Sequence, residues 1–531
     1  MLVAALFVVA VALFAYSVGA EPGVPSFAVG SAGWWVFTTV AHLPLFVILL
    51  FLAAGLIERV GFFVNGKAPE APGRMLSHPR VCVQLPMFNE HAVARRVIEA
   101  AAGLAWPADR LAIQVLDDST DDDTRALVDQ VCAEVRASGI DCRVRHRADR
   151  SGYKAGALEE GRAHTDAEFL VIFDADFLPP ADYLLRTLPH FFHRDGTPDT
   201  GLALVQAQWG HLNADESPLT LAQSLWVDDH HTLQMAWRSA TWKFVNFTGT
   251  AGVWRASAIE AAGGWRAASL VEDCELSFRH LFAGYRTKFV KEIVVPAELP
   301  ATYGAYKAQQ KRWTQGWAQL QRLHLATLLL RYGTPPLRKL ALLYHMCIPW
   351  QWPAWAIWST TLPFLIHTGH WFGELGPAVG VGLYLAPSTV WLATSAVVTS
   401  LETRHTYPGR LTPAEFLGRL GRVVPYVLIN TGMLPHQLTA FAEGAFGPLH
   451  SEFERTPKAA TVTRGGPSAG AVAPRKSDRV KGHWPYVLAE WCFVSLQIAW
   501  AILFISTGLI WCALASLAMA GCVFYLMFRL K

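Results

Sequence analysis

Two apolar patterns alternate along this chain. Long uncharged stretches occupy its ends: Leu2–Ala20 and Trp34–Ile57 first, then Leu340–Gly373, Leu375–Leu401 and Trp491–Phe528. Hydrocarbon about 30 Å thick takes ~20 apolar residues of helix to cross, so each stretch predicts a membrane helix. Started back at Pro485, with a break around Ser506-Thr507-Gly508, the last stretch is long enough for two helices, which makes six spans. Between Arg80 and Val295 the apolar runs shorten. Val81–Leu85, Leu111–Leu116, Cys142–His146 and Phe169–Phe173 predict strands, with helical patterns from His91, over Asp121–Val135 and from Lys154. Such alternation, with strands apolar on both faces, predicts an α/β sheet of parallel strands. Ligands of such sheets sit at the carboxyl ends of the strands.

The placement of Lys and Arg orients these spans. The connection Glu21–Gly33 has neither residue, whereas the polar block and the connections Glu402–Arg422 and Glu443–His483 are rich in both. By the positive-inside rule the block and both chain ends face the cytoplasm. Val423–Ala442 is uncharged but basic on both flanks, and Pro425 and Pro435 interrupt it. That pattern predicts an interfacial or re-entrant segment. Leu2–Ala20 ends in a cleavage-like Val18-Gly19-Ala20, yet no Lys or Arg precedes it, so a retained helix is expected. The expected units are 1–66 (two membrane helices), 67–300 (cytoplasmic domain) and 301–339 (interfacial helices). They continue with 340–442 (membrane helices and the interfacial segment), 443–483 (a cytoplasmic segment) and 484–531 (C-terminal membrane helices).

Composition narrows the function classes. Hydrophobic residues make up 52% and charged ones 16%, against roughly 25% charged in globular proteins. Forty-five Lys and Arg against 42 Asp and Glu leave a net charge of +3, too balanced for a nucleic-acid partner held through its phosphates. Eight cysteines without a C-x-x-C pair predict free thiols. Neither common glycine-rich nucleotide loop is present.

Acidic residues fall at predicted strand ends. Asp117-Asp118 closes the second strand and Asp174-Ala175-Asp176 the fourth. An Asp-x-Asp there places two hard oxygen ligands where a divalent cation can bridge them to a diphosphate; a solvated turn is the plain alternative. Glu272-Asp273 opens a helical stretch, where an N-cap role competes. Gln309, Arg312 and Trp313 share one helix face, which an interfacial anchor would also explain. Asp228-Asp229-His230-His231 reads as a polar helix turn in preference to a metal cluster, since its His-His pair lacks ligand spacing.

Taken in order, these residues resemble the membrane-integrated inverting glycosyltransferases of family 2, the group of cellulose synthase, hyaluronan synthase and the cellulose-synthase-like glucomannan synthases. The matching pieces begin with Pro86-Met87-Phe88-Asn89-Glu90, Asp117-Asp118-Ser119, Gly152-Tyr153-Lys154-Ala155-Gly156-Ala157-Leu158 and Phe173-Asp174-Ala175-Asp176. Thr250-Ala251-Gly252-Val253-Trp254-Arg255, Val271-Glu272-Asp273 and Gln309-x-x-Arg312-Trp313 follow. The flanking residues are most similar to the glucomannan-synthase branch. The family's Phe-Asn-Gly-Thr is Phe247-Thr248-Gly249-Thr250 here, and its Thr-Glu-Asp is Val271-Glu272-Asp273.

The resemblance implies a glycosyltransferase A-type, Rossmann-like cytoplasmic domain on α-helical membrane spans. It implies Mg²⁺ or Mn²⁺ on Asp174 and Asp176, and a nucleotide pocket lined by Pro86, Asn89, Glu90, Asp117, Asp118 and Lys154. Asp273 is implied as general base, Trp313 as a platform for the acceptor sugar, and Gln309 and Arg312 as groups facing the diphosphate. Phe453-Glu454-Arg455-Thr456-Pro457-Lys458 resembles the gating loop of cellulose synthase, so Thr456 and Lys458 join the implied nucleotide contacts, with a flexible linker at Gly465–Pro474. The implied activity is processive: a β-linked glucan, mannan or glucomannan grows from UDP-glucose or GDP-mannose at the inner face of a bilayer and crosses it. Single-sugar transfer to a lipid and an inactive channel or assembly partner are the alternatives. Four helices after the block, with the gating-loop match, favour the polymerase.

Overall fold

The computed structural model describes residues 2–66, 71–147, 149–449 and 484–528. The segment with Thr456, Lys458 and the predicted linker lies outside the described residues.

Seven strands form one sheet: β1 (Val81–Met87), β2 (Leu111–Asp117), β3 (Asp141–His146), β4 (Phe169–Ile172), β5 (Leu202–His211), β6 (Gly252–Arg255) and β7 (Arg286–Ala297). Their order across the sheet is β3-β2-β1-β4-β6-β5-β7. Alternating residues feed two cores. Val83, Leu85, Ile113 and Val171 face one side, where Val93, Val97 and Val128 of the covering helices meet them. Cys82, Leu170, Ile172 and Trp254 face the other, against Leu158, Ile259 and Leu276. Burial on both faces is what the apolar runs predicted.

The four strands expected from the sequence, β1–β4, run parallel, and the sheet becomes mixed further along the chain, where β6 is antiparallel to both β4 and β5. The chain makes a long helical excursion, Pro218–Trp242, before β6, and it returns in the opposite sense. β6 is only four residues long, too short to show a period.

Among the described residues, four helices are long and apolar enough to cross a membrane: Leu43–Gly66, Pro377–Glu402, Trp484–Ser506 and Ile510–Phe528. Leu2–Gly19 is apolar and shorter. Two predicted spans divide. Trp34–Ile57 breaks at His42, before Pro44. Leu340–Gly373 becomes Pro336–Cys347 and Gln351–His367, because Pro349 lies in the tight turn between them. Val423–Gly432 and Leu434–Phe446 likewise form two helices, with Pro435 opening the second. All eight cysteines are free.

Buried ion pairs join these helices to the sheet domain. Arg238 donates to Glu58 at 2.5 and 3.0 Å, and Arg59 pairs with Asp229. Asp229 also accepts from Ser395 Oγ at 2.6 Å. Lys307, on the helix Tyr303–Ala326, reaches Glu490 in Trp484–Ser506 at 2.6 Å.

Candidate active site

The carboxyl ends of β1, β2 and β4 open onto two clefts that meet at one pair of aspartates. Asp174 and Asp176 follow β4, and with Lys154 and Arg312 they line both clefts. Pro86, Phe88, Glu90, Asp118 and Arg150 complete the first. Trp226, Asp273, Gln309 and Trp313 are on the walls of the second.

Local geometry holds the junction in place. The Asp174 amide donates to Thr250 Oγ1 at 2.9 Å. Lys154 stands in the first turn of the helix Tyr153–Ala163, entered through Gly152 at φ +70°. Its Nζ donates to Asp174 Oδ1 at 2.5 Å and to the Gly249 carbonyl at 2.8 Å. Burial works against the ammonium, yet Asp174 and Glu272 hold its pKa above the ordinary lysine value. Gly249 has φ +87°, and an added Cβ would stand 3.0 Å from Asp273 Oδ2. Only glycine meets both conditions cheaply.

Asp273 lies in the first turn of the helix Glu272–Phe282, and its Oδ1 accepts from the Cys274 amide at 2.8 Å. Burial raises its carboxyl pKa, and Lys154 opposes that shift. Burial and the neighbouring Asp273 also push the Glu272 carboxyl upward. Thr248 Oγ1, at the position where the family pattern has Asn, is buried on the cleft wall without a hydrogen-bond partner among the described residues.

The second cleft is aromatic. Trp313 and Trp226 stack with centroids 5.5 Å apart and planes at 26°, and His230 continues the stack at 6.2 Å from Trp226. Trp209, on the same wall, packs edge-on to Phe177 at 5.2 Å. Flat apolar faces beside acids and amides suit a pyranose ring.

The predicted site residues divide into three groups. Lys154, Asp174, Asp176 and Arg312 face both clefts; Pro86, Glu90 and Asp118 face the first, and Asp273, Gln309 and Trp313 the second. Asn89 and Asp117 stand behind the wall. Asn89 Oδ1 accepts from the amides of Thr120 and Asp121 at 2.9 and 3.2 Å, and the buried Asp117 accepts from the Ser119 amide at 3.1 Å. Thr456 and Lys458 fall outside the described residues.

Sequence reasoning passed over Arg147, Arg150 and Trp226. Arg147 grips Asp118 with two nitrogens and donates to the carbonyls of Ser151 and Tyr153 at 2.8 and 2.9 Å, fastening the loop before Lys154. Arg150 covers the Phe88 ring, 3.4 Å from its centroid. The basic run ahead of Gly152 was the available signal. Trp226 had none, because its partner Trp313 is remote in sequence.

Residues 169–368 match the family model described as glycosyl transferase family group 2. Glucomannan 4-beta-mannosyltransferase 9 of Arabidopsis thaliana is 43% identical over 249 residues, 46% of this chain and 46% of that protein. Glucomannan 4-beta-mannosyltransferase 1 of Cyamopsis tetragonoloba is 41% identical over 274 residues, 51% of each. The chain thus spans about half the length of the curated relatives it matches. The solved mannosyltransferase PcManGT from Pyrobaculum calidifontis, in complex with GDP-Man and Mn2+, overlays with a TM-score of 0.46. It is 20% identical and covers 76% of this chain and 99% of its own, a likeness too slight to carry an argument. The family match falls on the stretch that holds Asp174, Asp176, Asp273 and Trp313, and it identifies a glycosyltransferase domain of family group 2 in this chain.

Proposed function

We propose that the chain is a processive inverting hexosyltransferase that builds a β-linked polysaccharide from a nucleotide sugar at the cytoplasmic face of a membrane. One observation carries the reading: a polar cleft and an aromatic cleft meet at Asp174 and Asp176, with Asp273 beside the meeting point. The polar side suits a nucleotide diphosphate and the aromatic side a sugar chain. The likeness to glucomannan 4-beta-mannosyltransferases favours a mannosyl unit in a glucomannan-type product.

The mechanism follows from placement. Glu90, Asp118 and Arg150 bind the nucleotide, and Lys154 and Arg312 bring positive charge to the diphosphate. Asp174 and Asp176 offer hard oxygen ligands on a site whose carboxylates outnumber its cations, which fits Mg²⁺ or Mn²⁺. When bound, such an ion neutralises the leaving diphosphate. Asp273 takes the proton from an acceptor hydroxyl as that oxygen bonds to the anomeric carbon. The bond from that carbon to the diphosphate breaks on the opposite side, so an α-linked donor becomes a β-linked unit. Trp226 and Trp313 hold the acceptor ring. A sheet domain fixed to apolar helices keeps the product's exit next to the bilayer, and the gating-loop match at Thr456 and Lys458 belongs to the same proposal.

The test is direct. Purified protein is incubated with GDP-mannose, UDP-glucose and related donors, and the products are sized. A ladder of long β-linked chains is expected from GDP-mannose, alone or with a glucosyl donor. A single hexose on lipid would replace the reading with the glycolipid one, and no nucleotide release from any donor would refute it.

A further inference from the structure

A third cleft lies at the other end of the sheet. The candidate active site opens at the carboxyl ends of β1, β2 and β4, whereas this cleft opens where β5 and β7, which run parallel to them, begin. Its volume is about 200 Å³, and a single water needs only on the order of 10–15 Å³. Among its described lining side chains Arg194, Lys243, Arg286 and Lys288 are cationic, and Asp199 alone is acidic. Arg286 donates to that acid at 2.6 and 2.8 Å. Arg194, Lys243 and Arg286 are exposed and Lys288 is half-buried, so an anion in the cleft can reach them.

The backbone fixes these walls. Arg286 and Lys288 alternate along β7 with the buried Thr287, so both project to the face opposite it. Thr287 Oγ1 donates to the Val245 carbonyl at 2.7 Å and accepts from the Val245 amide at 2.6 Å. The Thr287 amide donates to the Lys243 carbonyl at 3.3 Å. Lys243 ends the helix Ala236–Trp242 in the left-handed conformation, at φ +53°. Glycine or asparagine is the usual choice there, because a Cβ makes that conformation costly. Cations gathered on one cleft repel one another, and an anion placed between them turns the repulsion into attraction.

The cleft adjoins the end of a membrane helix. Leu43–Gly66 has 24 residues, about 36 Å of helix against ~30 Å of hydrocarbon, so its last turn reaches headgroup level. There Asn65 Nδ2 donates to Thr241 Oγ1 at 2.9 Å, two residues before Lys243. Arg238, in the same short helix as Thr241, is the partner of Glu58.

We propose that this cleft binds a phosphate group, held by Arg194, Lys243 and Lys288. The headgroup of an anionic phospholipid and a soluble phosphate share that chemistry, and the place of the cleft at the helix end favours the headgroup. A lipid held there fastens the sheet domain to the bilayer at the end of the sheet away from the sugar chemistry. The inference goes beyond the proposed function and needs neither its donor nor its product.

The experiment releases the full detergent-purified chain from mixed micelles of phosphatidylcholine and phosphatidic acid under native mass spectrometry and counts the lipids retained. The parent retains phosphatidic acid in preference to phosphatidylcholine, and added salt in the micelle solution weakens that preference. Lys243→Gln with Lys288→Gln lowers the retention about tenfold or more, since each cation near a phosphate surface contributes severalfold. Arg194→Gln, on an exposed side chain, lowers it about threefold and serves as the test should the double variant fail to fold. In parallel, inorganic phosphate is titrated by calorimetry into parent and variants in EDTA. Phosphate binding that falls in the variants, without selective lipid retention, supports the site with a soluble ligand. Lipid retention and phosphate binding that are equal in parent and variants overturn the proposal, as does a parent that takes up neither. No sugar donor enters these measurements, so failure of the proposed function leaves their outcome standing.

Discussion

The carboxylates of the cleft and those of the membrane junction are treated in opposite ways. In the cleft, Asp174, Asp176, Glu272 and Asp273 crowd around Lys154 and Arg312, so negative charge exceeds positive. At the junction each acid has a dedicated cation: Glu58 with Arg238, Asp229 with Arg59, Asp228 with Arg422 and Glu490 with Lys307. Both groups are largely buried, so exposure does not separate them. Stoichiometry does. An imbalanced cluster gains from a further cation, whereas a matched pair is complete and serves to position what it joins.

The largest effect tests the imbalance. EDTA, or Asp176→Asn, should abolish sugar transfer measured as nucleotide release, and added Mg²⁺ or Mn²⁺ should restore the chelated protein but not the variant. Full activity in EDTA would break the comparison, because the surplus acids would then serve no cation.

The next effect separates acids within the cleft. Asp273→Asn removes the proposed proton acceptor but keeps its shape, and turnover should fall about 10²–10⁴-fold, the usual range for a lost general base. Nucleotide affinity on the same preparation should change little, since the cleft proposed for the nucleotide does not include Asp273. If Asp273 were only a helix cap, Asn would serve nearly as well and turnover would hold.

How far these groups were legible depended on whether their partners were local. Asp174-x-Asp176 stood out because an apolar strand runs directly into it. The face with Gln309, Arg312 and Trp313 needed only helical spacing. Glu58 and Arg59 had the opposite effect: as charges they ended the predicted span at Ile57, yet the helix continues to Gly61 because Arg238 and Asp229 neutralise both. Those partners are far away in sequence, so no pattern disclosed them. The same holds for Trp226 against Trp313 and for Arg147 against Asp118. The break at Pro349 was visible as a proline, but an unbroken apolar composition concealed its consequence.

A third prediction addresses the matched pairs. Asp229→Ala leaves Arg59 buried without its carboxylate, and removing one partner of a buried pair costs about 3–5 kcal/mol. Thermal unfolding of the purified protein should show that loss as a lower midpoint, with turnover following the folded fraction. An unchanged midpoint would mean that the junction pair contributes nothing to positioning the sheet domain.

The smallest effect is the sharpest test of the contrast. If a junction pair matters only because it is matched, deleting both charges together should cost far less than deleting either one. Lys307→Met leaves Glu490 beside His436, 3.7 Å away, and Glu490→Leu leaves Lys307 without its carboxylate. Each single change should destabilise by several kcal/mol, about 3–5 for a broken buried pair. The double variant places two apolar side chains between the helices, and replacement of a buried pair by apolar groups is often neutral. Its unfolding midpoint should therefore lie close to that of the parent, with a double-mutant coupling nearly as large as either single loss. No comparable cancellation is expected in the cleft: Lys154→Met with Asp174→Leu removes a charge pair but also a proposed metal ligand, and it should stay inactive. A double junction variant as unstable as its singles would show that Lys307 and Glu490 act through more than their mutual charge, with His436 as the first group to examine.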